Sequence, residues 1–469
     1  MLIFKKKIPV IPFGFTGIII SRIFLIPFIY LGWNYFIPIL LFFFVLLLHD
    51  LFLNYTIKQK FVLSFIYSIV FNIGVLSWMF FIDYGIIALI YNTIIYFIFY
   101  FVTFLITQKF KSIFIIIFLF IIFEFCSNLT VYLFPWCNLG NALSNYPLLI
   151  QWYSITGPIG GTIWLLLISN YLLFLKNKII LVKLIILLIF PIIISTFIYR
   201  RNIENELIEK KIITFNPEKF ITEENLKQEN KFNLNEKLCF YVYNNLKNLK
   251  GNYTLIMPEV TIRGIYFPQF NKSLSANYLR KIISEDKCSN ICIGATCYTD
   301  YNVYNSAILI DSLSSYIKVK KKLVPYVETL PNFLNKYMSR QIYSNTCIDS
   351  SLVINKIFKS NPIICYDAFY PFYFSRSCID ANYSIVISSE DFLKNNSIGI
   401  NQYNNLLRLR CIENGKPLVK NSFKGNSMII NKHGLIENKS DKEWNIFTIK
   451  YNLNEKKTIF SKLIFYLNL

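Results

Sequence analysis

Three side chains in the second half of the chain are of the right types for acyl chemistry: Glu259, Lys320 and Cys365. Each stands at the end of a short apolar run, where a side chain leaves a strand and can meet others. Glu259 follows Ile256-Met257-Pro258. Lys320 opens Lys320-Lys321-Lys322-Leu323-Val324-Pro325-Tyr326. Cys365 follows Ile363-Ile364 and precedes Tyr366-Asp367. A thiol has a pKa of about 8.5, so a carboxylate beside it can take its proton as it attacks a carbonyl. An ammonium then stabilises the oxyanion of the tetrahedral intermediate. The product is a thioester, which an amine or water can resolve. Taken singly these signals are weak. A Cys on an apolar strand is commonly core, a Lys in a run of three is commonly solvated, and a Glu after Pro commonly ends a strand. Their order along the chain gives them weight.

Composition removes the commoner alternatives. The chain has only two histidines, His49 and His433. The first ends an apolar run and the second lies in a turn-like Asn431-Lys432-His433-Gly434, so neither Ser–His–Asp catalysis nor a His-ligated zinc site is offered a histidine. The ten cysteines show no paired CxxC spacing. Cys288, Cys292 and Cys297 cluster on a segment that reads as a buried strand, where core cysteines are favoured over metal ligands. No metal and no cofactor are expected. The net charge of +21 comes from Lys scattered among Asn, Ile, Phe and Tyr along all 469 residues. This is compositional drift rather than a compact nucleic-acid surface, and a basic face near anionic phospholipid is compatible with it.

The elements that must hold these residues fall into two kinds. Hydrophobic residues make up 54% and charged ones 16%, with the excess in residues 1–199, the expected transmembrane domain. A spanning helix needs about 20 mostly apolar residues. Candidate spans are Val10–Leu31, Phe36–Leu48, Phe61–Phe81, Ile86–Ile106, Ser112–Leu133, Gly157–Leu175 and Ile179–Tyr199, seven in all, the second being short. Arg22 lies inside the first and must face protein, snorkel or mark an imprecise boundary. Lys5, Lys6, Lys7, Lys58, Lys60, Lys109, Lys111, Lys176 and Lys178 fall in alternate loops, and the loops between lack Lys and Arg. Under the positive-inside rule the amino terminus is cytoplasmic, and seven spans put the polar half of the chain on the far side. The basic start resembles a secretory signal, but no small-residue cleavage site comes after it, so an uncleaved first helix is expected.

Residues 200–450 form the expected soluble domain. After a polar stretch from Asn202 to Lys250, β-like runs appear at Tyr253–Met257, Asn290–Cys297, Ser306–Ile310, Pro362–Cys365, Tyr383–Ile387 and Ser427–Ile430. Helix-like segments at Asn271–Glu285 and Asn401–Asn414 lie between them. Strands mixed with helices predict an α/β or α+β domain.

Pro258-Glu259, Lys320-x-x-Leu323-Val324-Pro325-Tyr326-x-Glu328 and Ile364-Cys365-Tyr366-Asp367 resemble the three motifs of the nitrilase superfamily. They most resemble its membrane-anchored branch, the apolipoprotein N-acyltransferase family. Matches continue in family order through Glu124, Phe134-Pro135-Trp136, Leu139-Gly140, Pro147, Gln151, Gly157, Tyr304-Asn305-Ser306-Ala307, Gln402, Arg408-Leu409-Arg410, Glu413–Leu418 and Gly434. The resemblance covers nearly the whole chain. It implies a polytopic α-helical membrane domain followed by a periplasmic αββα sandwich, in the cell inner membrane. It implies Glu259 as general base, Lys320 as oxyanion stabiliser and Cys365 as nucleophile, supported by Glu328, Tyr366 and Asp367. The family's reaction takes an acyl chain from a phospholipid onto Cys365 and passes it to the α-amine of the diacylglyceryl-modified cysteine of an apolipoprotein. A monomer without nucleic-acid partners is expected.

Departures are local. Asp367 stands where the family has Glu, Val327 where it has Gly, and Tyr403 where it has His. Its Asn-Asp-Ala-Trp-Phe-Gly stretch is Ser389-Glu390-Asp391-Phe392-Leu393-Lys394 here. Residues 451–469 form a short tail, and Thr458–Leu469 is too short for the family's last membrane helix. Two alternatives to the acyltransferase stand: a membrane-tethered carbon–nitrogen hydrolase whose thioester goes to water, and a catalytically dead membrane sensor.

Overall fold

The computed structural model describes residues 14–175, 178–201, 207–222, 231–249, 251–286, 288–325, 327–329, 343–344, 359–453 and 456–467. The chain divides into two compact units. The first comprises the residues up to Arg201 together with Asn396–Leu409, and the second comprises Asn202–Asn395 and Arg410–Leu469.

In the first unit, apolar runs fold into helices α1 (Phe15–Ile23), α2 (Ile26–Asn34), α3 (Ile37–Phe52), α4 (Ile57–Leu76), α5 (Gly85–Phe110), α6 (Ile113–Leu129), α7 (Tyr153–Leu173) and α8 (Lys178–Arg201). Five segments are long and apolar enough to cross a membrane: Phe15–Asn34, Ile57–Phe81, Gly85–Phe110, Tyr153–Leu173 and Lys178–Arg201. The second and fifth expected spans are the shorter helices α3 and α6, of 16 and 17 residues. The sixth begins at Tyr153 rather than Gly157. Gly157 instead kinks α7 with φ 63° and ψ −167°, a conformation glycine tolerates, and Pro158 follows it.

The solvent of this unit is legible on α5. Ile86, Ile90, Ile94 and Ile98 point outward and exposed, at i, i+4 spacing, while Asn92, Tyr96, Tyr100, Thr103 and Thr107 are buried. A helix that shows its aliphatic face and hides its polar one is folded for lipid. The chain is a membrane protein. Arg22 faces the protein interior, where its guanidinium holds Asp50 at 2.9 and 3.0 Å. Tyr67 donates to the same carboxylate at 2.7 Å. Glu124 is likewise enclosed, accepting from the Leu139 N–H at 2.6 Å and from Thr162 Oγ1.

The second unit is two packed sheets. The first has seven strands in the order β12-β1-β2-β4-β5-β6, with β3 paired to β4. Their ranges are β1 Ile208–Phe215, β2 Tyr253–Ile256, β3 Ile262–Tyr266, β4 Cys288–Tyr298, β5 Val303–Ile310, β6 Ser315–Val319 and β12 Trp444–Tyr451. The other has five, β11-β10-β9-β8-β7: β7 Ser360–Ile364, β8 Tyr383–Ser389, β9 Leu418–Phe423, β10 Ser427–Ile430 and β11 Ile436–Ser440.

Alternation along the strands separates two apolar layers. Ile256, Cys292, Ala307 and Leu309 meet Ile364, Ile385, Ile387 and Val419 between the sheets. Ile291, Ile293, Ala295 and Cys297 face the other way, onto α9 (Lys231–Leu246) and α10 (Leu274–Asp286). Helix α11 (Pro371–Cys378) packs against β7, and the architecture is an αββα sandwich. The three clustered cysteines lie buried on β4. Residues 459–466, expected within a tail, form α13 (Ile459–Tyr466), whose Phe460 packs on Phe372 of α11 within this unit.

Helix α12 (Ser397–Asn414) starts among Asn396–Leu409, a segment the sequence assigns to the soluble domain. In the first unit Gln402 is fully engaged. Its Oε1 accepts from the indole N–H of Trp78 at 3.0 Å and of Trp136 at 2.7 Å. Its amide donates to Asn34 Oδ1 and the Val75 carbonyl.

Candidate active site

Glu259, Lys320 and Cys365 come together at strand ends of the second unit, and each is placed by a specific local device. After β2 the chain runs through Met257, whose N–H donates to the Cys292 carbonyl, into Pro258-Glu259. Val260 then takes φ 54°, an uncommon left-handed conformation for a β-branched residue, and Thr261 Oγ1 closes the turn on the Pro258 carbonyl at 2.7 Å. Gly294 of β4 lies directly beneath. A Cβ there would come within 2.2 Å of the Pro258 oxygen and 2.6 Å of Glu259 Cα.

Lys320 is the first residue past β6, and its N–H donates to the Asn305 carbonyl at 2.9 Å. Its ammonium is buried between two carboxylates, 2.9 Å from Glu259 Oε1 and 2.8 Å from Glu328 Oε1. The Asn305 amide donates to the same two oxygens, at 2.7 and 2.8 Å. Glu328 uses its other oxygen to accept the Val324 N–H at 2.8 Å. Burial works against the charge on Lys320, but Glu259 and Glu328 outweigh it and hold the ammonium well above the ordinary lysine range. Lys320 is thereby held in its charged form, able to stabilise a developing oxyanion.

Cys365 follows β7 directly at φ 45°, in a short 3₁₀ turn that continues to Phe369. Such a left-handed residue costs on the order of 1–3 kcal/mol and lifts the side chain off the strand. The thiol is buried, and the Ser389 N–H bonds to it. Burial first, and then the negative charge of Glu259, push its pKa well above the ordinary thiol range, with Lys320 opposing. Two carboxylates and one ammonium leave the site with an excess negative charge, so the sulfur is a thiol at rest.

Asp367 sits two residues on and binds the neighbouring wall. Its Oδ1 accepts from the N–H groups of Lys321 at 3.2 Å and Lys322 at 2.6 Å, which fixes the backbone next to Lys320. Burial pushes its carboxyl up to about 7, with the Lys322 N–H and the charges of Lys320 and Lys318 resisting. Tyr366 packs edge-on against Phe369 and Tyr370, and its hydroxyl accepts from that of Tyr370 at 3.2 Å. Tyr326 lies outside the described residues.

Sequence reasoning missed Asn305 as a site residue, although a polar side chain on the run Asn305-Ser306-Ala307-Ile308-Leu309 was a usable signal. It also missed Tyr343. That N–H donates to the Glu328 carbonyl at 3.1 Å, and its ring lies within the field of Glu328, Glu259 and Lys320. Nothing near the motifs marks Tyr343, because its link to the site is tertiary. Among the described residues no group of His, Cys, Asp and Glu is arranged to hold a metal.

The chain is similar to known proteins in both halves. Residues 22–171 match the family model described as the apolipoprotein N-acyltransferase N-terminal domain. The apolipoprotein N-acyltransferase of Wigglesworthia glossinidia brevipalpis is 25% identical over 339 residues, 68% of this chain and 64% of that protein. That of Borreliella burgdorferi is 28% identical over 181 residues, 35% of this chain and 34% of that protein. The chain thus spans less than two thirds of each relative's length. Solved structures also overlap it. A carbon–nitrogen hydrolase superfamily protein from Xanthomonas campestris covers 52% of this chain and 91% of its own, at 14% identity and TM-score 0.35. A nitrilase superfamily member from Saccharomyces cerevisiae covers 52% and 89%, at 17% identity and TM-score 0.33. By the matched model, residues 22–171 resemble the N-terminal domain of the apolipoprotein N-acyltransferases, and both relatives carry that enzyme's name.

Proposed function

We propose that the chain is a phospholipid:apolipoprotein N-acyltransferase that works through a thioester on Cys365. The observation that carries this reading is Lys320 clamped between Glu259 and Glu328 beside a strained, buried thiol. Because the site is already negative, a free thiolate is disfavoured. The proton therefore passes from Sγ to Glu259 as sulfur attacks the donor's ester carbonyl. The carbonyl oxygen becomes an oxyanion facing the Lys320 ammonium. Collapse breaks the ester C–O bond, and the departing glycerol oxygen takes the proton back from Glu259 to leave as lysophospholipid. In the second half the α-amine of a diacylglyceryl-cysteine attacks the thioester. Its proton passes to Glu259, the C–S bond breaks, and Cys365 recovers its proton as the amide forms. Asp367 and Glu328 hold the two walls of the site and take no part in proton transfer.

Both substrates carry lipid tails, which gives the membrane unit its purpose. The alternation of basic loops supports a cytoplasmic amino terminus, and with it a sandwich on the periplasmic side of the inner membrane. We place the protein there as a monomer.

Incubating the full chain with phospholipid should add one acyl mass at Cys365, sensitive to hydroxylamine, and none in Cys365→Ala. Adding a diacylglyceryl-cysteine peptide should discharge it. An unmodified Cys365 in a preparation that restores a strain lacking this acyltransferase would overturn the thioester route. A membrane-impermeant thiol reagent tests orientation, and labelling of the second unit only in inside-out vesicles would reverse it.

A further inference from the structure

Arg263 is a half-buried cation that no carboxylate answers among the described residues. Its backbone is held on both sides by Asn235, which accepts from its N–H at 3.1 Å and donates to its carbonyl at 2.8 Å. The side chain is another matter: Nε is buried and has no acceptor among the described residues. The carboxylate whose field reaches it, Asp391, is already paired with Lys424 at 2.9 Å. A buried guanidinium N–H without an acceptor is costly, and such a group calls for an explanation.

The strand register shows which way Arg263 faces. Ile262 of β3 pairs with Ala295 and Ile265 with Cys297, so Arg263 and Gly264 together oppose Thr296. Ile262, Ile265, Ala295 and Cys297 all belong to the layer covered by α9 and α10. Arg263, next to Ile262, therefore turns to the opposite face. Thr296 in turn pairs with Asn305 of β5, and cross-strand partners share a face. Asn305 is the residue whose amide touches Glu259 and Glu328. Arg263, Thr296 and Asn305 thus form one row across the sheet, ending in the catalytic carboxylates. Tyr343 bridges the same row. It hydrogen-bonds Thr296 and lies within the field of Glu259, Glu328 and Lys320, while Arg263 lies within the field of Tyr343.

We infer that Arg263 is the anion anchor of this site and binds the phosphodiester of the acyl donor. The inference rests on the phospholipid reading above. In a phospholipid the phosphate is only a glycerol backbone away from the ester that Cys365 attacks. A guanidinium suits a phosphodiester because it can offer two parallel N–H groups to two oxygens. Bound there, the phosphate would supply the missing acceptor and orient the ester toward the sulfur.

The test compares two acyl donors on the full chain in neutral detergent: phosphatidylethanolamine, and p-nitrophenyl palmitate, which has no phosphate. The readout is the initial rate of Cys365 acylation by intact mass, taken as the ratio of phospholipid to ester. Arg263→Gln should lower that ratio by about tenfold or more, and Arg263→Lys should restore part of it. An equal loss on both donors marks a structural role and overturns the anchor, as does an unchanged ratio. Wild-type protein that takes no acyl group from phospholipid refutes the reading beneath it, which sets that failure apart from loss of the anchor alone.

Discussion

Asp367 shows how a single side chain can serve the site without touching substrate. Its carboxyl accepts two backbone N–H groups beside Lys320 from a position two residues after Cys365. Burial raises its pKa to about 7, so the folded protein binds this proton more tightly than the unfolded chain does. The group's contribution to stability is therefore full below about pH 4 and lost as pH rises through about 7. At about 1.4 kcal/mol for each pH unit of that window, this is on the order of 4 kcal/mol. Thermal unfolding of the full chain from pH 4 to 8 should fall more steeply for wild type than for Asp367→Asn. Parallel curves would remove Asp367 from the account. Glu in this place, as in the family pattern, adds one methylene between backbone and carboxylate.

At the scale of elements, the site depends on close approach. Gly294 has no side chain because the Pro258–Glu259 backbone occupies the space a Cβ needs. Gly294→Ala should displace Glu259 and destabilise the sandwich by about 1–3 kcal/mol. Cys365 acylation should fall further than stability does, and an alanine variant with normal rates would show that Glu259 has slack. The knot at Gln402 is the counterpart in the first unit. Gln402→Ala strands two buried indole N–H groups and should lower stability by about 2–5 kcal/mol, read as a drop in unfolding temperature in detergent.

Strands with uninterrupted apolar runs were legible in the sequence: β2, β4, β5, β7, β8 and β10 fall where those runs lie. Strands that mix Lys and Asn with aliphatics were not. β1, Ile208–Phe215, carries Glu209, Lys210 and Lys211 beside the buried Ile212 and Ile213, and it sits inside the stretch from Asn202 to Lys250 that reads as polar. β12 alternates exposed and buried positions beyond the last run that reads as a strand. The placement of Glu259, Lys320 and Cys365 at strand ends was visible because Pro or a charge stops each run. The amide of Asn305 and the row leading to Arg263 depend on register, which no local pattern encodes.

At the scale of the molecule, the balance between lipid and water decides where each surface can be. The aliphatic face of α5 is worth having only in a bilayer. Ile94→Lys near the helix centre should cost about 3 kcal/mol of insertion, measured as the inserted fraction in microsomal or proteoliposome assays. Ile94→Leu should be neutral, and a well-inserted lysine variant would mean that this face does not meet lipid.

Because residues 396–409 complete the first unit, synthesis order becomes a constraint. When helix α8 has been made, Trp78 and Trp136 still lack the acceptor they share, and about two hundred more residues must follow before Gln402 exists. The early helices must wait, incomplete, while the strands of the second unit are made and folded. A break anywhere between Arg201 and Asn396 would leave two fragments that have to find each other again. A protein of this kind is finished late, and its first unit is closed by a piece of chain from beyond Cys365.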